Sequence, residues 1–418
     1  MSNYFSFIKK NIRLLSFGFT LTCFSAFGQT FFIALFGAEF RNEFDLSNSQ
    51  FGGVYSIATL SSALTLMGIG RLIDRTSHTR FAAFVCCGLA TACVVASSAS
   101  NVLMLGLALY GLRLFGQGLM THTAMTTMAR CYDRDRGKSI SLAGTGVPAG
   151  EAVLPFLVVS AAAILDWRTA WLAFAGVLVI FVLPIVLFTG SGKPNESESD
   201  TDGRSRDGAI QRRGFTASRD FTTAEVLRDL RFLLLLPVFL ATPFITTGIM
   251  FHQVVLVEEK GWSLAWYAAT FSGFAAAATV SAIYLGTLVD RIGTVSILPF
   301  YLLGIAAGCV VLATVDHPAA ALLFMLLAGV SVGGQMLVTS ALWPELYGRK
   351  HIGAIRSMTT AMMIVATAGS PFAFGWLIDG AVTMSTLAGY CALYILVASA
   401  VAVAAVKRHR NAELQHAL

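Results

Sequence analysis

The chain of 418 residues carries a formal net charge of +6, and 56% of its residues are hydrophobic against 12% charged, about half the roughly 25% charged residues usual in soluble globular chains. This composition excludes a soluble enzyme and describes an integral membrane protein. The basic excess needs no nucleic-acid partner, because Lys and Arg cluster at the ends of apolar runs, where membrane topology accounts for them.

Apolar runs of about 20 residues, enough to cross a bilayer as a helix, occur at 17–38, 49–70, 81–99, 102–128, 139–164 and 169–188. They continue at 231–255, 264–286, 294–314, 318–342, 353–377 and 385–406. Twelve spans are expected, as an N-terminal six-helix bundle over 1–190, a cytoplasmic linker over 191–230 and a C-terminal six-helix bundle with a short tail over 231–418. An even count puts both termini on one side. On that side lie 25 of the 29 Lys and Arg; Arg41, Arg168 and Lys260 lie on the other, and Arg113 lies inside a span. Both termini are therefore expected in the cytoplasm of a multi-pass cell-membrane protein. Lys9, Lys10 and Arg13 precede a run too long for a signal peptide, so this run is read as the first span. The seven cysteines show no metal-ligand or CxxC spacing and read as small core residues. No metal and no cofactor is expected.

Along the chain, the first span carries Gln29, an amide at mid-membrane depth that needs a partner from another helix or from a ligand. The following loop, AEFRNEFDLSNSQ, ends in Ser and Asn suited to capping the next helix. The second span leads into GIGRLIDRTSHTR (68–80), and GTLVDRIGT (286–294) repeats its GxLxDR skeleton. Asp74 and Asp290 differ by 216 positions, as do Gly137 and Gly353, and Pro155 and Pro371. A period this long reads as duplication of a whole helical bundle.

The fourth span places Arg113 about 22 Å from its cytoplasmic end at the helical rise, and the fifth places Glu151 at about 18 Å. A charge at such depth costs roughly 2.5–3.5 kcal/mol even on lenient insertion scales. The two groups are candidates for a central pair, in which Arg113 binds an anion or Glu151 exchanges a proton; the alternative is a permanent structural ion pair. Gly111, Gly116 and Gln117 correspond to Gly329, Gly334 and Gln335 at an offset of 218, which sets Ser331 opposite Arg113. Gln117, Gln335 and Ser331 offer neutral hydrogen bonds. His122 reads as a packing residue, and His252 as either a proton relay or a packing residue. The central loop turns from acidic NESESDTD to basic GRSRDGAIQRRG and reads as a disordered tether ending in a Thr222–Glu225 capping box.

GRLIDRTSHTR and GTLVDRIGT resemble the signature loop of the major facilitator superfamily, found between helices two and three and again between eight and nine. Twelve spans, duplicated halves, a long central loop and both termini inside are similar to that family over essentially the whole chain. The resemblance implies an all-α membrane protein of two pseudo-symmetric six-helix bundles, which rock about a central site. It also implies a cytoplasmic gate made by Gly70, Asp74, Arg75 and Arg80 in the first copy and Gly286, Asp290 and Arg291 in the second. Ser77 stands where the pattern prefers Gly, as Gly293 does in the second copy, so an altered first turn is expected. Arg113 and Gln117 partly match the family's RxxQG pattern, with Gln117 one residue further on. The basic clusters ARCYDRDRGKS and PELYGRKHIGAIRS before Gly-rich helices resemble the monocarboxylate and oxalate/formate-like branch.

The expected function is secondary active transport of a small-molecule substrate, an organic anion such as a monocarboxylate, by alternating access and with protons as the coupling ion. The candidate substrate or proton site is Arg113, Glu151, Gln117, Gln29, His252, Gln335 and Ser331. The partners are the lipid bilayer and the solute, and a monomer is expected. The alternatives are an exporter of amphipathic drugs and a polytopic sensor. No ATPase motif and no nucleophile paired with a base is present, so no enzymatic activity is expected.

Overall fold

Because a bilayer core offers no water to backbone groups, a chain of this composition has to close its hydrogen bonds within helices, and the described elements are all helical. The structure, a computed structural model, describes residues 2–133, 135–192, 220–298, 300–348 and 350–416. Among these, ten helices are long and apolar enough to cross a membrane. They are Asn48–Asp74, His78–Ser97, Val102–Cys131, Arg136–Ala162, Trp167–Gly190, Leu230–Phe251, Leu264–Val289, Ala319–Tyr347, Ile352–Asp379 and Met384–Ala404. They stand at the second to eighth and tenth to twelfth expected positions.

The first and ninth positions are irregular. The first span is a pair, Phe5–Gly28 and Thr30–Phe44, bent by 46°. The ninth consists of the single turn Thr294–Ile297, a stretch of i→i+3 bonds such as Phe300 N–H to Ile297 O at 2.9 Å, and the 12-residue helix Leu303–Thr314. The chain divides into two compact units, Met1–Gly203 with Met250–Val254, and Arg204–Ile249 with Val255–Leu418. The acidic and basic stretches of the central loop lie outside the described residues.

Helix ends are secured by local chemistry legible in the sequence. Ser47 and Gln50 form a capping box that opens the second span, and Thr222 with Glu225 forms another at Thr223–Arg228. Asp166 caps the sixth span, and hydrogen bonds from Thr169 hold its carboxyl below the usual carboxylate range. Arg168, one of the three cations expected outside, donates to Ser97 O at 2.9 Å, Ala99 O at 2.7 Å and Glu43 Oε1 at 2.6 Å. It thereby satisfies carbonyls at the end of the third span.

One cap comes from far away in sequence. Glu259 accepts from the backbone N–H groups of Met384 at 2.5 Å and Ser385 at 2.9 Å, and from the Ser385 hydroxyl. A carboxylate at the positive end of the twelfth helix satisfies otherwise orphaned donors. We expect Glu259→Ala to cost about 1–2 kcal/mol, read as a lower midpoint of thermal unfolding in detergent, with Glu259→Gln losing less.

Candidate functional site

The site begins at the break in the first span. Ser25–Gly28 is a 3₁₀ turn, Gln29 is extended at φ −80°, ψ 152°, and helix resumes at Thr30. An extended residue inside a span leaves carbonyls without the donor four residues on, and these must find one elsewhere. Arg113 supplies it: its Nη1 donates to Gly28 O at 3.1 Å and to Thr30 Oγ1 at 3.5 Å. The guanidinium carbon sits 5.2 Å from the Tyr55 ring centroid, a cation–π distance, and the Tyr55 hydroxyl donates to Thr30 Oγ1 at 2.8 Å. Arg113 is 6% exposed, and its Nε has no hydrogen-bond partner.

Two glycines make this reach possible. A Cβ at Gly28 would stand 2.6 Å from Gln117 N, and one at Gly116 would stand 2.7 Å from Gly28 Cα, so the backbones of the first and fourth spans cross in direct contact. Around the crossing the fourth span widens into a π-helical stretch, Leu112–Met120, a feature frequent at functional sites.

The expected Arg113–Glu151 pair is not formed. Among the described residues no ion pair joins them; Arg113 is engaged at the break, and Glu151 is half-buried on Gly146–Ala162 with no hydrogen-bond partner. Helical rise fixes depth but not the direction in which a side chain points, so equal depth did not make them neighbours. Gln29 proves to be the extended residue of the break rather than part of a continuous helix. Its amide and that of Gln117 are half-buried and make no hydrogen bond with another described residue.

His252 is 4% exposed at the turn between Leu230–Phe251 and Gln253–Lys260, edge-on to Phe251 at 5.0 Å. Its neighbour Gln253 was missed by the sequence reading. Residues 250–254 belong to the first unit. Gln253 is fully buried there and donates Nε2 to Phe31 O at 2.7 Å, leaving its Oε1 without a partner. Phe251 packs on Tyr55 at 4.7 Å and on Phe51 at 4.9 Å. A polar amide beside His252 near the end of an apolar run was the available signal; Tyr55 and Thr30 gave none.

In the second unit, Gln335 donates Nε2 to Phe239 O at 3.2 Å. Pro243 lacks the N–H that would have met that carbonyl four residues back. Ser331, by contrast, is already committed: its Oγ accepts Ile305 N–H at 2.8 Å, filling an orphan donor in the first turn of Leu303–Thr314.

The two signature loops are held differently. In the first, Asp74 pairs with Arg130, whose Nη1 also donates to Ile73 O at 3.1 Å, and His122 Nε2 meets Gly70 O at 3.2 Å. A groove of about 300 Å³ beside them is lined by Leu66, Met67, Arg71 and Thr126 among others. Arg75 and Arg80 are exposed. Ser77, at φ −68°, caps the third span, whereas Gly293 sits at φ +82°, so the expected difference between the two turns is present. In the second loop Glu345 Oε2 accepts Thr294 N–H at 2.9 Å, and Arg291 is exposed. The Asp290 side chain lies outside the described residues. A Cβ at Gly286 would touch only Leu337, at 3.9 Å. Among the described residues no group of three or more His, Cys, Asp or Glu is placed to hold a metal.

The family model described as Major Facilitator Superfamily matches residues 18–370. A bacterial homolog to the human lysosomal transporter Spinster, inward-facing and occupied, superposes with TM-score 0.63 at 16% identity, over 96% of this chain and 94% of that one. Its unoccupied form gives 0.59 at 16% identity, over 97% and 95%. The nucleoside transporter NupG gives 0.66 at 14% identity, over 94% and 99%. At such identities the likeness is one of fold. No curated protein matches the chain.

The crossing predicts a sharp contrast between glycines. Gly28→Ala or Gly116→Ala forces backbone apart and is expected to cost about 1–3 kcal/mol, with a matching fall in unfolding temperature. Gly286→Ala is expected to leave it unchanged or raised, since Ala is the better helix former.

Proposed function

Because the chain belongs to the major facilitator superfamily, we propose that it is a secondary active transporter carrying a small organic anion by alternating access, with protons as the coupling ion. The observation that carries this reading is the Arg113 guanidinium: a nearly fully buried cation with no carboxylate partner among the described residues and a free Nε donor. Intramembrane charges without a fixed counter-ion mark solute and ion pathways, and a carboxylate is the ligand that a planar guanidinium binds best. Gln29 and Gln117, unpartnered and adjoining the Gly28–Gly116 crossing, supply neutral hydrogen bonds to the same solute. Glu151, half-buried without a cation beside it, is the proton-exchanging group.

In this reading the units over 1–190 and 231–418 act as the moving bundles, joined by the linker over 191–230, with both termini in the cytoplasm and the protein monomeric in the cell membrane. Asp74 with Arg130, and Glu345 with the Thr294 N–H, secure the cytoplasmic ends of their own units.

Uptake of labelled carboxylates into proteoliposomes, with and without an inward proton gradient, tests the proposal. Arg113→Gln is expected to lower uptake by tenfold or more, the scale of a lost charge-assisted hydrogen bond. Glu151→Gln is expected to retain exchange and lose the response to the gradient. If no carboxylate moves while both variants fold, the anion reading fails and export of amphipathic compounds takes its place.

A further inference from the structure

We propose that the tenth span, Ala319–Tyr347, carries a stripe that recognises hydroxyl groups on the solute, formed by Gln335, Thr339 and Trp343. This rests on the organic-anion reading and narrows it from plain monocarboxylates to hydroxylated ones. The three residues stand four apart and so share one helix face. Each bears a buried atom without a hydrogen-bond partner: Gln335 Oε1, Thr339 Oγ1 and Trp343 Nε1. Gln335 is 7% exposed and Trp343 is fully buried.

The seventh span faces this stripe within the same unit. The Phe239 and Trp343 rings lie 5.0 Å apart, and Gln335 holds the Phe239 carbonyl. Thr242, three residues further and on the same face, is 2% exposed, and its hydroxyl stands beside that of Tyr301. Buried polar atoms in native proteins are nearly always paired, and three unpartnered ones along one helix face are open to a polar guest. The stripe ends at Ser331, one turn before Gln335, whose hydroxyl is spent on Ile305 N–H.

The donor and acceptor types specify the guest. Gln335 Oε1 only accepts, Trp343 Nε1 only donates, and the Thr339 hydroxyl does either. Nothing in the stripe is ionisable, so a carboxylate or an ammonium placed here would keep an uncompensated charge. An alkyl chain would leave all three atoms unmet. A hydroxyl both donates and accepts, so it answers either kind of atom in the stripe.

The test is uptake by the full-length protein in liposomes, above protein-free controls, of three labelled six-carbon probes: gluconate, hexanoate and neutral sorbitol. Gluconate is expected to exceed hexanoate by about tenfold. Thr339→Val and Trp343→Phe are each expected to shrink that ratio about fivefold, the scale of one neutral hydrogen bond, with Thr339→Ser restoring it. A stripe with only a packing role gives another pattern: Trp343→Phe unfolds at a lower temperature, as a buried large-to-small change does, and both variants leave the ratio intact. That result overturns the proposal, as does equal uptake of hexanoate and gluconate. The two readings fail separately. Uptake of sorbitol that Thr339→Val reduces, with neither acid moving, removes the anion and keeps the stripe; uptake of hexanoate alone removes the stripe and keeps the anion. Uptake of none of the three removes both.

Discussion

A carbonyl that a break or a proline frees inside a membrane span needs a donor from elsewhere, and part of the buried polar chemistry here follows from that constraint. Gly28 O is met by Arg113, Phe31 O by Gln253, and Phe239 O by Gln335. Two further carbonyls inside the helix Leu230–Phe251 also receive side chains, Val238 O from Tyr301 at 2.8 Å and Phe244 O from Ser370. In a soluble protein water would serve these acceptors. Here each needs a donor fixed by sequence, so the residues that look like a solute site are also the ones that let the spans bend. The two tasks are compatible because guanidinium and carboxamide groups have more than one hydrogen-bonding atom, and Arg113, Gln253 and Gln335 each keep one unused.

Spans, caps and repeated loops were legible because each depends on residues close together in sequence. A run of apolar residues, a Ser followed three places on by a Gln, or GxLxDR seen twice needs no knowledge of the rest of the molecule. The break in the first span was half-legible. Gln29 marked the place, yet an amide on a continuous helix and an amide at a kink look the same in sequence. What escaped was azimuth. Arg113 and Glu151 matched in depth and missed each other in direction, and Ser331, aligned with Arg113 by the internal repeat, turned out to cap a helix 26 residues earlier in the chain.

The internal repeat preserves a sequence skeleton, while the backbone and the electrostatics of its two loops differ. The first signature loop is held by an ion pair with both side chains about half exposed, 48% for Arg130 and 57% for Asp74. Added salt screens such a pair. The second is held by a carboxylate on a backbone N–H, where Gly293 takes a positive φ that a side chain would strain. One skeleton thus carries a lock sensitive to ionic strength and another set by backbone shape.

The reach of Arg113 back to Gly28 also bears on how the chain enters the membrane. The two are 85 residues apart, so the bent first span is made and inserted well before the fourth exists. Until then its freed carbonyl has no donor from that span, and the fourth span in turn brings a cation that lipid alone does not accommodate. Each is the other's remedy. The first and fourth spans therefore mature as a couple during biosynthesis, and a chain cut between them leaves the first span with its kink unsealed.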